Sequence, residues 1–331
     1  MKKTVLIASL MIFAALQLTP FTVSANELVF KMATWGPKAH YIGGQRDVWL
    51  AAVNEKLAGK LKIVEYPGGQ LYGPKEMHMA LAKGSVEMGL ILQPAMLAMA
   101  PILQGVYLPF AYDSVDQAAK AYQGESREII EKAMEEKRIK MIYPAYTDGV
   151  QIFSNKKNID SMEDFNGMRI LSTSPIITEI FSKLGAAPDA SIPQTEQYMA
   201  LKRGVSDAMA QAVVGGFFQK SYEVAPYVTK TDMSFPTLLL CMNLKKWESL
   251  PKDVQDVLLE EGKIAEASSL AASKGWEAKF TGEMEKLGAT VTRIPDDVRA
   301  QVKEVSKEVW EKWANDNGPD AQRLLELNRD L

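Results

Sequence analysis

Catalysis in this chain would have to draw on few residues. Among 331 residues there are two histidines, His40 and His78, and one cysteine, Cys241. The histidines are too far apart in pattern for a metal pair, and neither has a cysteine or a spaced carboxylate cluster nearby. Cys241 lies inside Thr237-Leu238-Leu239-Leu240-Cys241-Met242, a setting for a buried structural thiol rather than a nucleophile. The neighbouring acids Asp296 and Asp297 fall at a predicted helix start, where they serve the helix dipole. No G-x-S-x-G elbow, P-loop or G-x-G-x-x-G fingerprint occurs. These residues argue against an enzyme, and no cofactor or metal is expected. The chemistry left is recognition.

The first 25 residues have the order of an export signal: Lys2 and Lys3, an apolar run from Val5 to Leu16, then Val23-Ser24-Ala25 before Asn26. The apolar part is too short to span a bilayer comfortably. Cleavage after Ala25 is the expectation, with the mature chain in the periplasm. Losing two lysines from a chain with 38 basic and 41 acidic residues leaves a mildly acidic protein with no basic block. That balance argues against nucleic acid or anionic lipid as partners. Roughly 300 residues exceed what one core usually holds, so two lobes are expected. A single cysteine excludes an intramolecular disulfide, so the core must suffice.

The elements that would position a site alternate between strand and helix. Leu28 to Ala33 reads as a strand, His40 to Leu57 as a helix, and Leu61 to Tyr66 as a strand stopped by Pro67-Gly68-Gly69. Pro74 opens a helix that Gly84 stops, and a strand from Val86 to Leu92 follows. This rhythm predicts parallel sheets covered on both faces, an α/β fold. Pro251 and Asp253 start a long helix with apolar positions at Val254, Val257, Leu258, Ile264, Ala265, Ala271 and Ala272. One motif recurs 120 positions apart: Glu76-x-x-Met79-Ala80-Leu81-x-Lys83-Gly84 and Glu196-x-x-Met199-Ala200-Leu201-x-Arg203-Gly204. Each copy reads as an amphipathic helix with Met and Leu toward a sheet and a glycine cap. Two lobes of similar wiring are expected, with a crevice at the carboxyl ends of their strands.

Several segments, in order, resemble the extracytoplasmic receptors of tripartite ATP-independent periplasmic (TRAP) transporters of the DctP type. They are Gly69-Gln70-Leu71-Tyr72-Gly73 with Glu76 and Gly84 to Met88, Leu108-Pro109-Phe110, Glu163 to Leu171, Glu196 to Asp207, Tyr222 to Tyr227, and Trp247 to Gln255. The resemblance runs from about residue 28 to 290. It implies a periplasmic-binding-protein-like fold, with two α/β lobes around a central cleft and a helix from about Pro251 to Leu287 bracing both. On that reading, residues 26–148 plus about 238–272 form lobe I, and 149–237 plus about 273–331 form lobe II. It also implies trapping of a small organic solute by lobe closure, delivery to a small and a large membrane subunit, and uptake driven by an ion gradient. A monomer is expected. A clamshell reporting to a membrane kinase is the rival reading, and an exported hydrolase a remote one.

Against that resemblance the chain departs at the positions that usually bind acids. The arginine that pairs with the solute carboxylate in most such receptors is here Leu171, and Arg169 stands two residues earlier, free to reach forward or to sit at the rim. After the crossing Gly149 come Val150 and Gln151, neither basic, and Gln211 falls near a familiar asparagine position. Without those cations a simple dicarboxylate is disfavoured, and a zwitterionic, aromatic or weakly charged solute is favoured. Ser172, Thr173 and Ser174 precede the helix-opening Pro175 and could hold a carboxylate, while Asp148 could pair with an ammonium group. Trp35, Tyr72, Tyr146 and Phe217 could wall the cleft, and Gln93 follows the strand through which the first lobe contributes contacts. Glu76 could touch the solute or serve its helical turn as its twin Glu196 does. Arg46, in the first helix, reads as a solvated charge that could otherwise replace the missing arginines.

Overall fold

The computed structural model describes residues 27–35, 41–172, 174–193, 196–329 and 331. The export-signal expectation for residues 1–25, together with His40 and Thr173, lies outside the described residues.

Strands β1 (Leu28–Ala33), β2 (Leu61–Tyr66), β3 (Met88–Leu92) and β4 (Ile139–Tyr146) belong to the first sheet. Then come β5 (Val150–Ser154), β6 (Arg169–Leu171), β7 (Ala187–Asp189), β8 (Ala208–Ala212) and β9 (Tyr227–Lys230) in the second. β10 (Thr237–Asn243) returns to the first sheet and β11 (Thr290–Arg293) to the second. The orders are β2-β1-β3-β10-β4 and β11-β9-β5-β8-β6-β7. β1 runs parallel to β2 and β3, with β10 antiparallel to both β3 and β4. In the second sheet β6 runs parallel to β7 and β8, with β5 antiparallel to both β8 and β9. Apart from the added β11, the two sheets are wired alike. Each receives one strand from the far side: β5 directly follows β4, and β10 follows β9.

The helices, in chain order, are α1 (Tyr41–Lys56), α2 (Met77–Lys83), α3 (Gln93–Met96), α4 (Val115–Lys120), α5 (Gly124–Glu136) and α6 (Pro175–Lys183). They continue with α7 (Gln197–Lys202), α8 (Val213–Phe218), α9 (Leu244–Glu248), α10 (Lys252–Lys286), α11 (Asp296–Asp316) and α12 (Pro319–Asn328). The repeated motif is the start of a longer match: α2-β3-α3 and α7-β8-α8 recur at the same offset. Gly84 and Gly204 both close their helix at positive φ, 74° and 70°, a backbone conformation that suits glycine. Leu81 and Leu201 are buried as expected, but Met79 and Met199 are exposed, so the sheet-facing methionine expected of each copy is a surface residue.

Alternation along β10 shows why its sequence is apolar throughout. Leu238, Leu240 and Met242 join Trp49, Val53 and Leu258 on one face of the first sheet. Leu239 and Cys241 join Met77, Leu81 and Ile91 on the other. Cys241 is fully buried, and burial pushes its thiol pKa up, as a structural cysteine requires.

α10 packs on α1, α4 and β4 of the first lobe and on α8 and β11 of the second, so it braces both. Its polar interruption at Glu261 is buried and answered by Lys56. The C-terminus departs from the expected division at 273–331. α11 packs on α6 in the second lobe, but α12 returns to α5 and the 3-10 turn Pro101–Val106 in the first. Trp310 Nε1 donates to the Pro109 carbonyl at 3.0 Å, Asn328 Nδ2 to that of Gly105 at 3.2 Å, and Arg323 forks onto Glu125. Apolar burial of Leu324 and Leu325 overrides the simple two-block partition.

Candidate functional site

Topology fixes where the site lies. The carboxyl ends of β1, β2, β3 and β4 and the start of β10 share one edge of the first sheet. The carboxyl ends of β6, β7, β8 and β9 and the start of β5 share one edge of the second. Residues 147–149 and 231–236 join these two edges, which therefore border a common cleft.

The crossing segments are stitched together. Val150 N donates to Ser234 O at 2.8 Å, Met233 N to Val150 O at 3.0 Å, and Thr147 Oγ1 to Pro236 O. Gln151 is fully buried; its Oε1 accepts the N–H groups of Thr231 (2.6 Å) and Asp232 (2.8 Å), and its Nε2 donates to Asp232 Oδ1 at 2.7 Å. Gly149 must be glycine for reasons of space, because a Cβ there would lie 2.7 Å from Asp232 Oδ1. Arg299, on α11, is 8% exposed and donates to Tyr112 O, Asp113 Oδ1 and Thr231 O, tying a first-lobe loop to the crossing.

Asp148 stands at this junction, 2% exposed, and its Oδ2 accepts Val214 N at 2.9 Å. A residue leaving the first lobe thus caps α8 of the second. Burial pushes its pKa up to about 7; hydrogen bonds from Val214, Val213 and its own N–H pull it down, and the charge of Glu277 on α10 pushes it up.

Other expected site residues fall along the same edges. Trp35 is half-buried, with Nε1 donating to Leu90 O at 3.0 Å. Gln93 is fully buried; Nε2 donates to Leu103 O at 2.8 Å, and Oε1 has no partner among the described residues. Leu171 is fully buried and packs in the core. Ser172 Oγ meets Thr178 Oγ1 at 2.7 Å beside Ser174, which caps α6 by accepting Ile177 N. Gln211 is bound to Gln219 and Ser221.

Four residues are engaged in other ways. Tyr146 sends its hydroxyl to Glu266 of α10 at 2.9 Å and sets its ring edge-on to Tyr122. Phe217 lies within an aromatic cluster, 4.5 Å from the Phe280 ring and stacked on Tyr222. Tyr72 is half-buried against the core of the first lobe. Glu76 is exposed and folds back so that Oε2 accepts Gly73 N at 3.0 Å, which is the turn-serving role.

Arg169 does not reach forward. It opens β6 at the edge away from the cleft, and its fork holds Asp207 at 2.9 and 2.7 Å, pulling the Asp207 carboxyl below its ordinary pKa. Arg46, read as a solvated charge, is 1% exposed. Its Nη2 lies 2.8 Å from Glu65 Oε1, which also accepts Thr34 Oγ1 at 2.6 Å. The signal was in the spacing: Arg46, Trp49, Val53 and Leu57 fall at i, i+3, i+7 and i+11 on one helical stripe, and the last three are core residues.

Two α/β lobes that exchange strands around a cleft define a clamshell receptor. The chain belongs to the bacterial extracellular solute-binding protein family 7 (DctP), whose model matches residues 32–316. It is 27% identical over 283 residues to the C4-dicarboxylate-binding periplasmic protein DctP of Rhodobacter capsulatus, covering 82% of this chain and 83% of that one. An uncharacterized Haemophilus influenzae protein is 26% identical over 214 residues, 64% of each chain. The fold matches a TRAP periplasmic solute-binding protein from Sulfitobacter sp. NAS-14.1 solved with β-D-galacturonate, with a TM-score of 0.82 at 22% identity, over 92% of this chain and all of that one. This protein is therefore a TRAP-type extracytoplasmic solute receptor.

Proposed function

We propose that the chain is exported, trimmed after Ala25, and works in the periplasm as a monomer that hands its solute unchanged to a small and a large TRAP membrane subunit. The observation that carries this reading is the pair of like-wired sheets whose strand ends meet at one cleft, joined by two crossing segments and by α10. Such a body binds by population shift: contacts made by both lobes at once stabilise the closed form. Among the described residues no helix is long and apolar enough to cross a membrane, and no cluster of His, Cys, Asp or Glu could hold a metal ion.

The solute is not a simple dicarboxylate. Leu171 and Val150 offer no charge, and Arg169 is spent on Asp207, so two carboxylates would enter the cleft short of partners. A zwitterionic, aromatic or weakly charged solute fits better, with Trp35, Gln93, Asp148, Gln151, Ser172 and Gln211 as the residues of the cleft edges. Isothermal titration against acids, amines and amino acids, with the bound compound recovered and weighed, tests this. Saturable binding with the compound recovered intact is expected; a chemically altered compound would make the protein an enzyme.

A further inference from the structure

We propose that Arg46 is the anchor for one carboxylate of the solute, in the first lobe's wall of the cleft, an inference that rests on the receptor reading above. The Arg46 guanidinium is buried; its Nη2 faces Glu65 Oε1 at 2.8 Å and Asp47 Oδ1 at 3.6 Å, while its Nε makes no hydrogen bond among the described residues. The same two turns of α1 carry Gln45 Oε1, Asp47 Oδ1 and Trp49 Nε1, likewise buried and without a hydrogen bond. Folded proteins rarely leave such groups unanswered, so their gathering on one short stretch calls for a polar group that the described residues do not supply.

The place is right for a solute. Glu65 is the next-to-last residue of β2, and Thr34 directly follows β1, so the ion pair sits at the carboxyl edge that borders the cleft. A carboxylate offers two acceptors, and the Trp49 indole N–H supplies a second donor. Glu65 Oε1 at 2.8 Å and Asp47 Oδ1 at 3.6 Å both face Nη2, so they already answer part of the charge, leave the Nε side for a single carboxylate oxygen, and would repel a second carboxylate. Two strands along the same edge, about 10 Å away at ordinary strand spacing, Gln93 Oε1, without a partner among the described residues, fits an N–H or O–H donor. The ligand class is a small monocarboxylate carrying one neutral hydrogen-bond donor.

The test is titration of wild type, Arg46→Met, Arg46→Lys and Glu65→Gln with lactate, pyroglutamate, orotate and 4-hydroxybenzoate. The primary amide of each acid, succinate, the amino acids and neutral sugars complete the panel. At least one monocarboxylate should bind wild type while its amide does not. Arg46→Met should weaken it about 100-fold or more, Arg46→Lys less, and Glu65→Gln should not weaken it. Circular dichroism reports folding, and Arg46→Lys carries the comparison if Arg46→Met does not fold. A monocarboxylate that binds Arg46→Met within threefold of wild type overturns the proposal, as does a panel in which only amides, sugars or succinate bind; both leave the receptor reading intact. Binding of nothing in the panel counts against both.

Discussion

At the scale of single residues, the junction acid Asp148 gives the clearest prediction. Its pKa is raised from 3.8 to about 7, chiefly by burial, so the folded state binds a proton more tightly than the unfolded chain does. The stability linked to that proton is fully present below pH 3.8 and falls as pH rises toward about 7, after which it is flat. Asp148→Asn keeps an oxygen for Val214 N and removes the titration. Melting curves from pH 4 to 8 should show wild type losing stability relative to the variant by a few kcal/mol across that window. Parallel curves would mean that Asp148 ionises as freely in the folded protein as in water.

Residue roles were the least legible part of the sequence. Arg169 could be read either way, because one strand position does not reveal whether a surface partner such as Asp207 waits 38 residues later. Phe217 reads equally as a cleft aromatic or a packing ring, and its contact with Phe280 of α10 depends on a residue 63 positions later that no local pattern signals. Arg46 was misread because charge was weighed above its place on an apolar stripe.

The elements, by contrast, were largely written in local patterns. β1 and β2 end where expected, since Pro67-Gly68-Gly69 and the strand periodicity are local signals. The long helix runs from Lys252 to Lys286 as anticipated, although the polar gap at Glu261 is filled by a buried ion pair. What local patterns could not supply is the return of α12 to the first lobe, which depends on contacts about 200 residues apart such as Arg323 with Glu125. Two predictions belong here. Gly149→Ala would press a methyl against Asp232 Oδ1 at 2.7 Å, and should lower stability by about 1–3 kcal/mol in urea unfolding; an unchanged midpoint would show that the crossing has slack. Arg299→Met leaves the carbonyls of Tyr112 and Thr231 without their donor, and should cost about 2–4 kcal/mol. An Arg299→Lys variant should recover only part of it, because one ammonium cannot span the loop, the crossing and Asp113 as a fork does.

At the scale of the whole molecule, the repeat predicts how the receptor moves. Two like-wired lobes share two crossing segments, the α10 brace and the α11–α12 return, and motion concentrates where Thr147 to Val150 and Thr231 to Pro236 pass between sheets. The polar stitching by Gln151, Asp232 and Arg299 holds these segments in register while each sheet moves as a body. The internal match between Glu76–Gly84 and Glu196–Gly204 was the part of the sequence that foretold this architecture, because similar local wiring implies similar sheets. The exchange of β5 and β10 left no local trace.

Small-angle X-ray scattering on the solute-free protein, and again at saturation with a solute shown by titration to bind, tests the central claim most directly. The account predicts a smaller radius of gyration and a shorter maximum dimension in the bound state, at unchanged molecular mass. Identical scattering curves with and without the bound solute would contradict it.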